Sequence, residues 1–126
     1  GGYLVRINSM DEFNAIGKEI KAQGLENNVF WIAGERDYST MPHYRWMDYD
    51  FRMSKSMIDV DKEYEPMWLE GEPSFKGTNL DGDEVEESYL VLLFSKSKDK
   101  FVLNDVPYDL DSYYHDNMGY IIEYED

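Results

Sequence analysis

The sequence contains no cysteine, and only two of its 126 residues are histidine. Without cysteine the chain has no disulfide, no thiolate metal ligand and no cysteine nucleophile, and its redox compartment is left open. It also lacks an apolar run of 18 or more residues, so neither a transmembrane helix nor membrane insertion is predicted. The chain opens with Gly1 and Gly2, without the pattern of a signal peptide.

The sequence patterns of common catalytic sites are absent as well. There is no zinc-protease HExxH, no nucleophile elbow and no phosphate-binding P-loop. His115 stands in a polar segment with Asp111 and Asp116, a setting typical of a surface histidine rather than of a catalytic base. We therefore expect no enzymatic activity.

Positive charge is scarce, because 12 lysines and arginines stand against 27 aspartates and glutamates, for a net charge of -15. Such a surface repels nucleic-acid phosphates, and we predict no nucleic-acid partner. Between residues 59 and 87 there are eleven carboxylates and two lysines. That run is typical of a solvated acidic loop, and its alternative interpretation is a site for a hard cation with oxygen ligands.

Enough apolar material is present for one folded domain over residues 1–126, with 42% hydrophobic and 16% aromatic residues. Ser9 and Glu12 form a capping box that predicts a helix start, and Gly24 stands where that helix would end. Residues 48–87 show little periodicity, and a loop of that length is usually functional. Strands are predicted at residues 4–7, 29–33, 44–47, 89–94, 100–106 and 119–124. The outline is that of an α+β protein.

Seven segments of the chain resemble, in the same order, the motifs of C-type lectin-like domains. They are GGYLVRINSMDEF, VFWIAG, YRWMD, WLEGEPSF, EESYLVL, LNDVPY and GYIIEYE. Together they cover almost the whole chain. The resemblance implies a C-type lectin-like fold, in which small antiparallel sheets support one long irregular loop.

The chain departs from the family in three respects. Ser88, Tyr108 and Ile122 fall where the family has cysteines, so the resemblance is to a cysteine-free form of bacterial type. Leu103 replaces the tryptophan of the Trp-Asn-Asp motif. The strand and helix that precede the Gly-Gly in the family are not in this chain, so the domain is N-terminally incomplete relative to the family. An upstream segment or a second chain would complete it, unless it is a reduced version.

The resemblance also implies a calcium site. In the family, a Glu-Pro-Asn loop, a glutamate before the next strand and the Asn-Asp pair hold calcium and touch the sugar. Carried over by position, the calcium ligands and carbohydrate contacts are Glu72, Ser74, Glu86, Asn104 and Asp105. The family also has a cis bond before the loop proline, which is Pro73 here, and Asp81 or Asp83 would replace missing ligands. The alternative for Asn104 and Asp105 is a strand-end turn in which Asp105 accepts bonds from local amides.

Two functions follow from the resemblance. The first is a calcium-dependent carbohydrate-binding module, or lectin, with a carbohydrate or a surface glycoprotein as partner. The alternative is a calcium-independent protein-binding or adhesin module that uses the long loop as its interface. That loop carries Met47, Met53, Met57 and Met67, and tyrosines flank the loops at positions 38, 44, 49, 64, 108, 113 and 114. Either function implies an extracellular or cell-surface protein.

Overall fold

The computed structural model describes residues 2–38, 43–48, 50, 52–78, 81–107 and 118–124. Over these ranges the chain forms one α-helix, one 3-10 helix and nine strands. In chain order they are β1 (Gly2–Leu4), α1 (Met10–Ala22), β2 (Val29–Arg36), β3 (Tyr44–Trp46), the 3-10 helix (Lys62–Met67), β4 (Lys76–Thr78), β5 (Glu84–Glu86), β6 (Tyr89–Ser95), β7 (Lys100–Val106), β8 (Met118–Tyr120) and β9 (Ile122–Tyr124).

Helix α1 begins and ends at the residues that the sequence indicates. The Ser9 hydroxyl accepts a hydrogen bond from the Glu12 backbone N–H at 3.1 Å, as an N-cap should. The Glu12 carboxylate reaches back to the N–H of Asn8 at 3.3 Å, one residue before the cap. Phe13 and Ile20 are buried on the inner face of the helix, and Gly24 follows it with a φ of 69°, which glycine adopts readily.

The main sheet has the order β3-β2-β6-β7, and β8 adds to β2 as its one parallel pair. The neighbours β6 and β7 form a hairpin that pairs without a break from Tyr89 with Val106 to Ser95 with Lys100. Two smaller antiparallel pairs, β1 with β9 and β4 with β5, stand outside this sheet. The predicted α+β class is therefore confirmed, with mostly antiparallel strands.

The sheet separates two groups of apolar side chains. The larger group lies between the sheet, α1 and residues 48–87, which we call the middle segment. Its least exposed members include Trp46, Met67, Leu90, Leu92 and Leu103. The other face carries a smaller group around Val29, Val91 and Val106. Neighbouring side chains on β7 point to opposite faces of the sheet. Only every second residue of that strand therefore faces the middle segment.

The middle segment, predicted as one irregular loop over residues 48–87, contains a 3-10 helix and the β4–β5 hairpin. Within the segment, the Trp68 indole N–H donates to the Ile58 carbonyl at 2.8 Å. The segment is attached to the sheet at Trp68, which forms a parallel β-bridge with Leu103 of β7. The next residue, Leu69, donates its backbone N–H to the Leu103 carbonyl on β7 at 3.0 Å. This pairing holds the residues that follow Leu69 beside the end of β7.

Two strand predictions need correction. The strand predicted at residues 4–7 is observed at Gly2–Leu4, because the backbone beyond it leaves the ladder: Val5 donates to Ile121 and accepts from Ala33. The strand predicted at residues 119–124 is two strands, β8 and β9, joined at Ile121 and paired with different partners. Within the described ranges, no helix has the length and apolar character needed to cross a membrane.

Candidate metal centre

Three carboxyl groups meet where the middle segment lies against the end of β7. Each of Glu72, Glu87 and Asp105 offers an oxygen, and these oxygens all lie within 4.8 Å of one another. Glu87 and Asp105 are buried, whereas Glu72 is partly exposed. The three residues come from three segments distant in sequence, so only the folded chain brings them together.

Asp105 is the centre of this cluster and is fully buried, with 0% of its surface exposed. Its Oδ1 accepts the backbone N–H of Ser74 at 3.2 Å, and its Oδ2 accepts that of Phe75 at 2.7 Å. The Tyr44 hydroxyl donates to the same Oδ2 at 2.8 Å and also lies 2.5 Å from the Glu87 carbonyl. Two successive backbone N–H groups around one carboxylate form an anion-binding nest. The Asp105 side chain therefore fixes the loop even without a ligand.

Phe75 gives the loop the shape that this nest requires. Its φ is 67°, in the left-handed region that large side chains rarely adopt. Its ring stacks on that of Tyr44, with centroids 5.4 Å apart and planes 13° apart. The buried Arg36 guanidinium lies 5.3 Å from the centre of the Phe75 ring and donates to the Phe75 carbonyl at 3.4 Å. Packing from two sides thus holds a backbone conformation that Phe75 alone would disfavour.

Glu72 brings a carboxyl group whose charge is hard to accommodate. Burial, followed by a hydrogen bond to the Asp105 carboxyl group, raises the pKa of Glu72 to about 7. Its Oε2 is buried and has no hydrogen-bond partner among the residues that the structure describes. The Glu72–Pro73 peptide bond is cis, as the family resemblance implies. At neutral pH the position favours a proton or an added cation over a bare carboxylate.

Glu87 completes the cluster from the residue that follows β5. It accepts a hydrogen bond from the Ser74 hydroxyl at 2.7 Å, and its backbone N–H donates to the Phe75 carbonyl at 2.9 Å. Burial raises the pKa of Glu87, and the charge of Asp105 adds to that rise. Burial also raises the pKa of the Tyr44 hydroxyl well above its usual range, so Tyr44 remains a donor.

The structure brings together three of the five predicted ligands and separates two. Glu72, Ser74 and Asp105 lie in the cluster as described above. Glu86 is exposed and lies 3.8 Å from Arg36, and the Tyr38 hydroxyl donates to it at 3.3 Å. Asn104 pairs with Val91 on the opposite face of β7, and its buried Oδ1 has no hydrogen-bond partner within the described ranges.

Glu87 was missed by sequence reasoning, although a weak signal for it exists. Successive residues of an extended segment alternate in direction, so only one of Glu86 and Glu87 can face the loop. In β5, Glu84 and Glu86 point outward, and Lys76 pairs with Glu84 at 3.0 Å across the hairpin. Asp81 and Asp83, considered as substitute ligands, are exposed and are not part of the cluster. His115 and the tyrosines at 49, 108, 113 and 114 lie outside the described residues.

The negative charge of the cluster favours binding of a cation. In the described part of the chain, no lysine or arginine forms an ion pair with its carboxylates, and the nearby Arg36 pairs with Glu86 instead. Three carboxylates and one hydroxyl are the hard oxygen ligands that calcium prefers. When no ion is bound, a proton on Glu72 reduces the negative charge of the same site. Glu72, Ser74, Glu87 and Asp105 are thus the residues that would hold a metal.

The raised pKa of Glu72 predicts that the metal-free protein loses stability as the pH rises from 5.5 to 8. The folded state holds the Glu72 proton up to about pH 7, whereas the unfolded chain releases it at about pH 4.5, so the stabilisation is present at low pH and disappears through neutrality. After allowance for solvent screening we expect a loss of roughly 1–2 kcal/mol, measured by urea denaturation in EGTA.

Glu72→Gln, which carries no titrating proton, should flatten this pH dependence. Glu70→Gln is the matched control, because Glu70 is exposed and pairs with Lys98 at 2.9 Å. A pH profile unchanged by Glu72→Gln would show that Glu72 titrates normally in the folded protein.

No protein-family model matches this chain, and a search of curated proteins found no match.

Proposed function

We propose that this protein is a calcium-dependent carbohydrate-binding module of the C-type lectin-like class, exposed outside the cell and without catalytic activity. The observation that supports this best is the convergence of Glu72, Glu87 and Asp105 within 4.8 Å, with no basic side chain paired to them among the described residues. The cluster lies at a junction between loop and strand like the one that the resemblance implies, but with Glu87 in place of Glu86 and without Asn104.

The cluster is accessible to solvent on one side. Calcium takes six to eight oxygen ligands, and the cluster offers three carboxyl groups and the Ser74 hydroxyl. Asp105 and Glu87 close the inner side, whereas Ser74 is exposed and Glu72 is partly exposed. Two vicinal hydroxyl groups of a sugar would complete the coordination from that outer side, with Glu72 as a hydrogen-bond acceptor.

Calcium is expected to raise the melting temperature of the metal-free protein, and Glu87→Gln should remove most of this effect. Calcium at a hundred times its Kd stabilises by about 2.7 kcal/mol, which for a domain of this size is roughly 10 °C. Removing one charged ligand should weaken calcium binding by about a hundredfold or more, since a buried ligand loses both charge and an oxygen. Thermal melts at pH 7.5, with calcium varied from zero to 10 mM, measure both.

Glu86→Gln is the matched control, since it makes the same chemical change at the adjacent exposed residue and should leave the calcium response intact. If Glu86→Gln abolished the response and Glu87→Gln did not, the ligand set implied by the motif would be right and the observed cluster would not be the site. A melt indifferent to calcium in both proteins would contradict the proposed ion. A glycan array read with calcium and with EGTA then tests the sugar, whose binding must vanish in EGTA.

The second candidate is a calcium-independent protein-binding module, and the bonding of Asp105 favours it. Its carboxylate already receives two backbone N–H groups and the Tyr44 hydroxyl, so the loop is closed on β7 without any ion. Met67 is fully buried and is not available to such an interface, and the same holds for Tyr44 and Tyr64. Among the described residues, Tyr38 and Val60 remain exposed by 56% and 51%. A protein partner that binds equally well in EGTA would identify this function.

A further inference from the structure

A groove with an apolar floor and a basic rim lies between α1 and the β6–β7 hairpin. Its volume is about 270 Å³. Phe13 and Gly17 form the side on the helix, and Phe94 and Phe101 form the side on the hairpin. No residue of the candidate metal centre contributes to this groove, so the two sites are independent.

The groove depends on a missing side chain. A Cβ atom on Gly17 would lie 2.7 Å from Cδ2 of Phe101, so the helix approaches the hairpin as closely as glycine permits. The rings of Phe94 and Phe101 meet edge to face at 5.1 Å. Phe101 is buried, whereas Phe94 is only partly buried and offers its ring to a ligand. The floor of the groove therefore offers an aromatic surface to a small ligand group.

The rim of the groove is positively charged, whereas the protein as a whole is negatively charged. Three lysines, Lys18, Lys21 and Lys100, surround the groove, although the whole chain has only 12 basic residues against 27 acidic ones. Lys18 and Lys21 lie on one face of the helix, and Lys100, the first residue of β7, lies on the opposite side of the groove. The ammonium group of Lys21 lies 4.7 Å from the centre of the Phe94 ring, and its ion pair with Asp99 spans 4.0 Å between exposed groups. Such a surface pair is weak and exchanges readily for another carboxylate.

We propose that this groove binds an acidic peptide segment of a partner protein, with one aromatic or leucine side chain seated on the phenylalanine floor. The volume is smaller than that of typical drug-sized sites and suits a single side chain. Lysines on both banks would pair with carboxylates on either side of that anchor.

The test uses a fluorescein-labelled peptide of sequence GSDEFEDG and the full chain in EGTA, with fluorescence anisotropy as readout. The expected result is saturable binding that weakens as salt rises from 20 to 300 mM, since exposed charge pairs are screened. The uncharged peptide GSNQFQNG and the anchorless peptide GSDEAEDG should each bind at least tenfold more weakly. Amide signals of residues 13–21 and 94–101 should shift on binding, and those of residues 72, 74, 75 and 87 should not.

The double variant Lys18→Glu and Lys100→Glu should weaken binding about tenfold or more. Its matched control, Lys55→Glu with Lys76→Glu, changes net charge equally at lysines away from the groove and should bind as the unmodified protein does. Equal loss in both variants would overturn the proposal, because it would show a nonspecific charge effect. Equal binding of GSNQFQNG would overturn it as well. So would binding of decanoate at the groove without binding of the peptide, since the occupant would then be a small amphiphile.

Discussion

Replacing Asp105 with alanine is expected to lower the free energy of unfolding by about 3–5 kcal/mol, the largest loss from any polar residue of the site. The substitution leaves the N–H groups of Ser74 and Phe75 and the hydroxyl of Tyr44 without their shared acceptor in a buried place. It also opens a cavity beside Leu90, which pairs with Asp105 across the hairpin. Urea denaturation of the metal-free protein at pH 6 measures the loss, and the calcium response should disappear as well.

Two further variants separate the lost charge from the lost hydrogen bonds. Asp105→Asn keeps the volume and one acceptor oxygen, so we expect an intermediate loss of stability together with full loss of the calcium response. Asp99→Asn makes the same chemical change in the turn between β6 and β7, at a side chain that is 86% exposed. Asparagine tolerates the φ of 53° at that position, so stability should change little. A loss below 1 kcal/mol for Asp105→Ala would mean that the Ser74–Phe75 loop is not held by this carboxylate.

The sequence predicts best those elements whose signals are local. The cap at Ser9, the apolar spacing of α1 and Gly24 bound the helix because each acts within one turn. The predicted strand at residues 100–106 is observed at Lys100–Val106, since its polar hairpin connection marks its start. These predictions need no knowledge of what packs against the element.

The middle segment was harder to predict because its order comes from distant partners. The strands β4 and β5 are only three residues long and have little apolar alternation, so they exist chiefly through pairing with each other. The 3-10 helix over Lys62–Met67 contains Pro66, which breaks the usual helical pattern. Its buried residues, Tyr64 and Met67, pack into the core from a segment that looks like loop in sequence.

The motif order names part of the cluster, and its differences from the structure have one geometric cause. Motif order identified Glu72, Ser74 and Asp105, which the structure brings together. Asn104 and Glu86 failed to join them because each is one residue from a cluster member on an extended backbone. One residue along a strand reverses the direction of the side chain. Which of two adjacent acids faces the loop therefore depends on register, and register is set by residues far away in the sequence.

The register that places Asp105 depends in turn on the packing of Leu90. Leu90 is fully buried, pairs with Asp105 on β7, and packs against Gly34 of β2. A Cβ atom on Gly34 would lie 2.4 Å from Cδ1 of Leu90 and 2.7 Å from its Cγ. Gly34 therefore lets the β6–β7 hairpin approach β2 closely. This approach places Asp105 beside the backbone of Ser74 and Phe75.

Gly34→Val is expected to lower the free energy of unfolding by about 3 kcal/mol or more, because three carbons would enter a space that admits none. Gly34→Ala should cost about 1–3 kcal/mol, and both variants should weaken the calcium response by displacing Leu90 and with it the strand that carries Asp105. Urea denaturation and calcium-dependent melts measure the two effects.

The double variant Gly34→Ala with Leu90→Ala decides the mechanism. If the clash with Leu90 is the cause, the double variant is more stable than the sum of the two single losses predicts, by about 0.5–3 kcal/mol. Strict additivity would mean that the loss at Gly34 arises in the backbone and not in contact with Leu90.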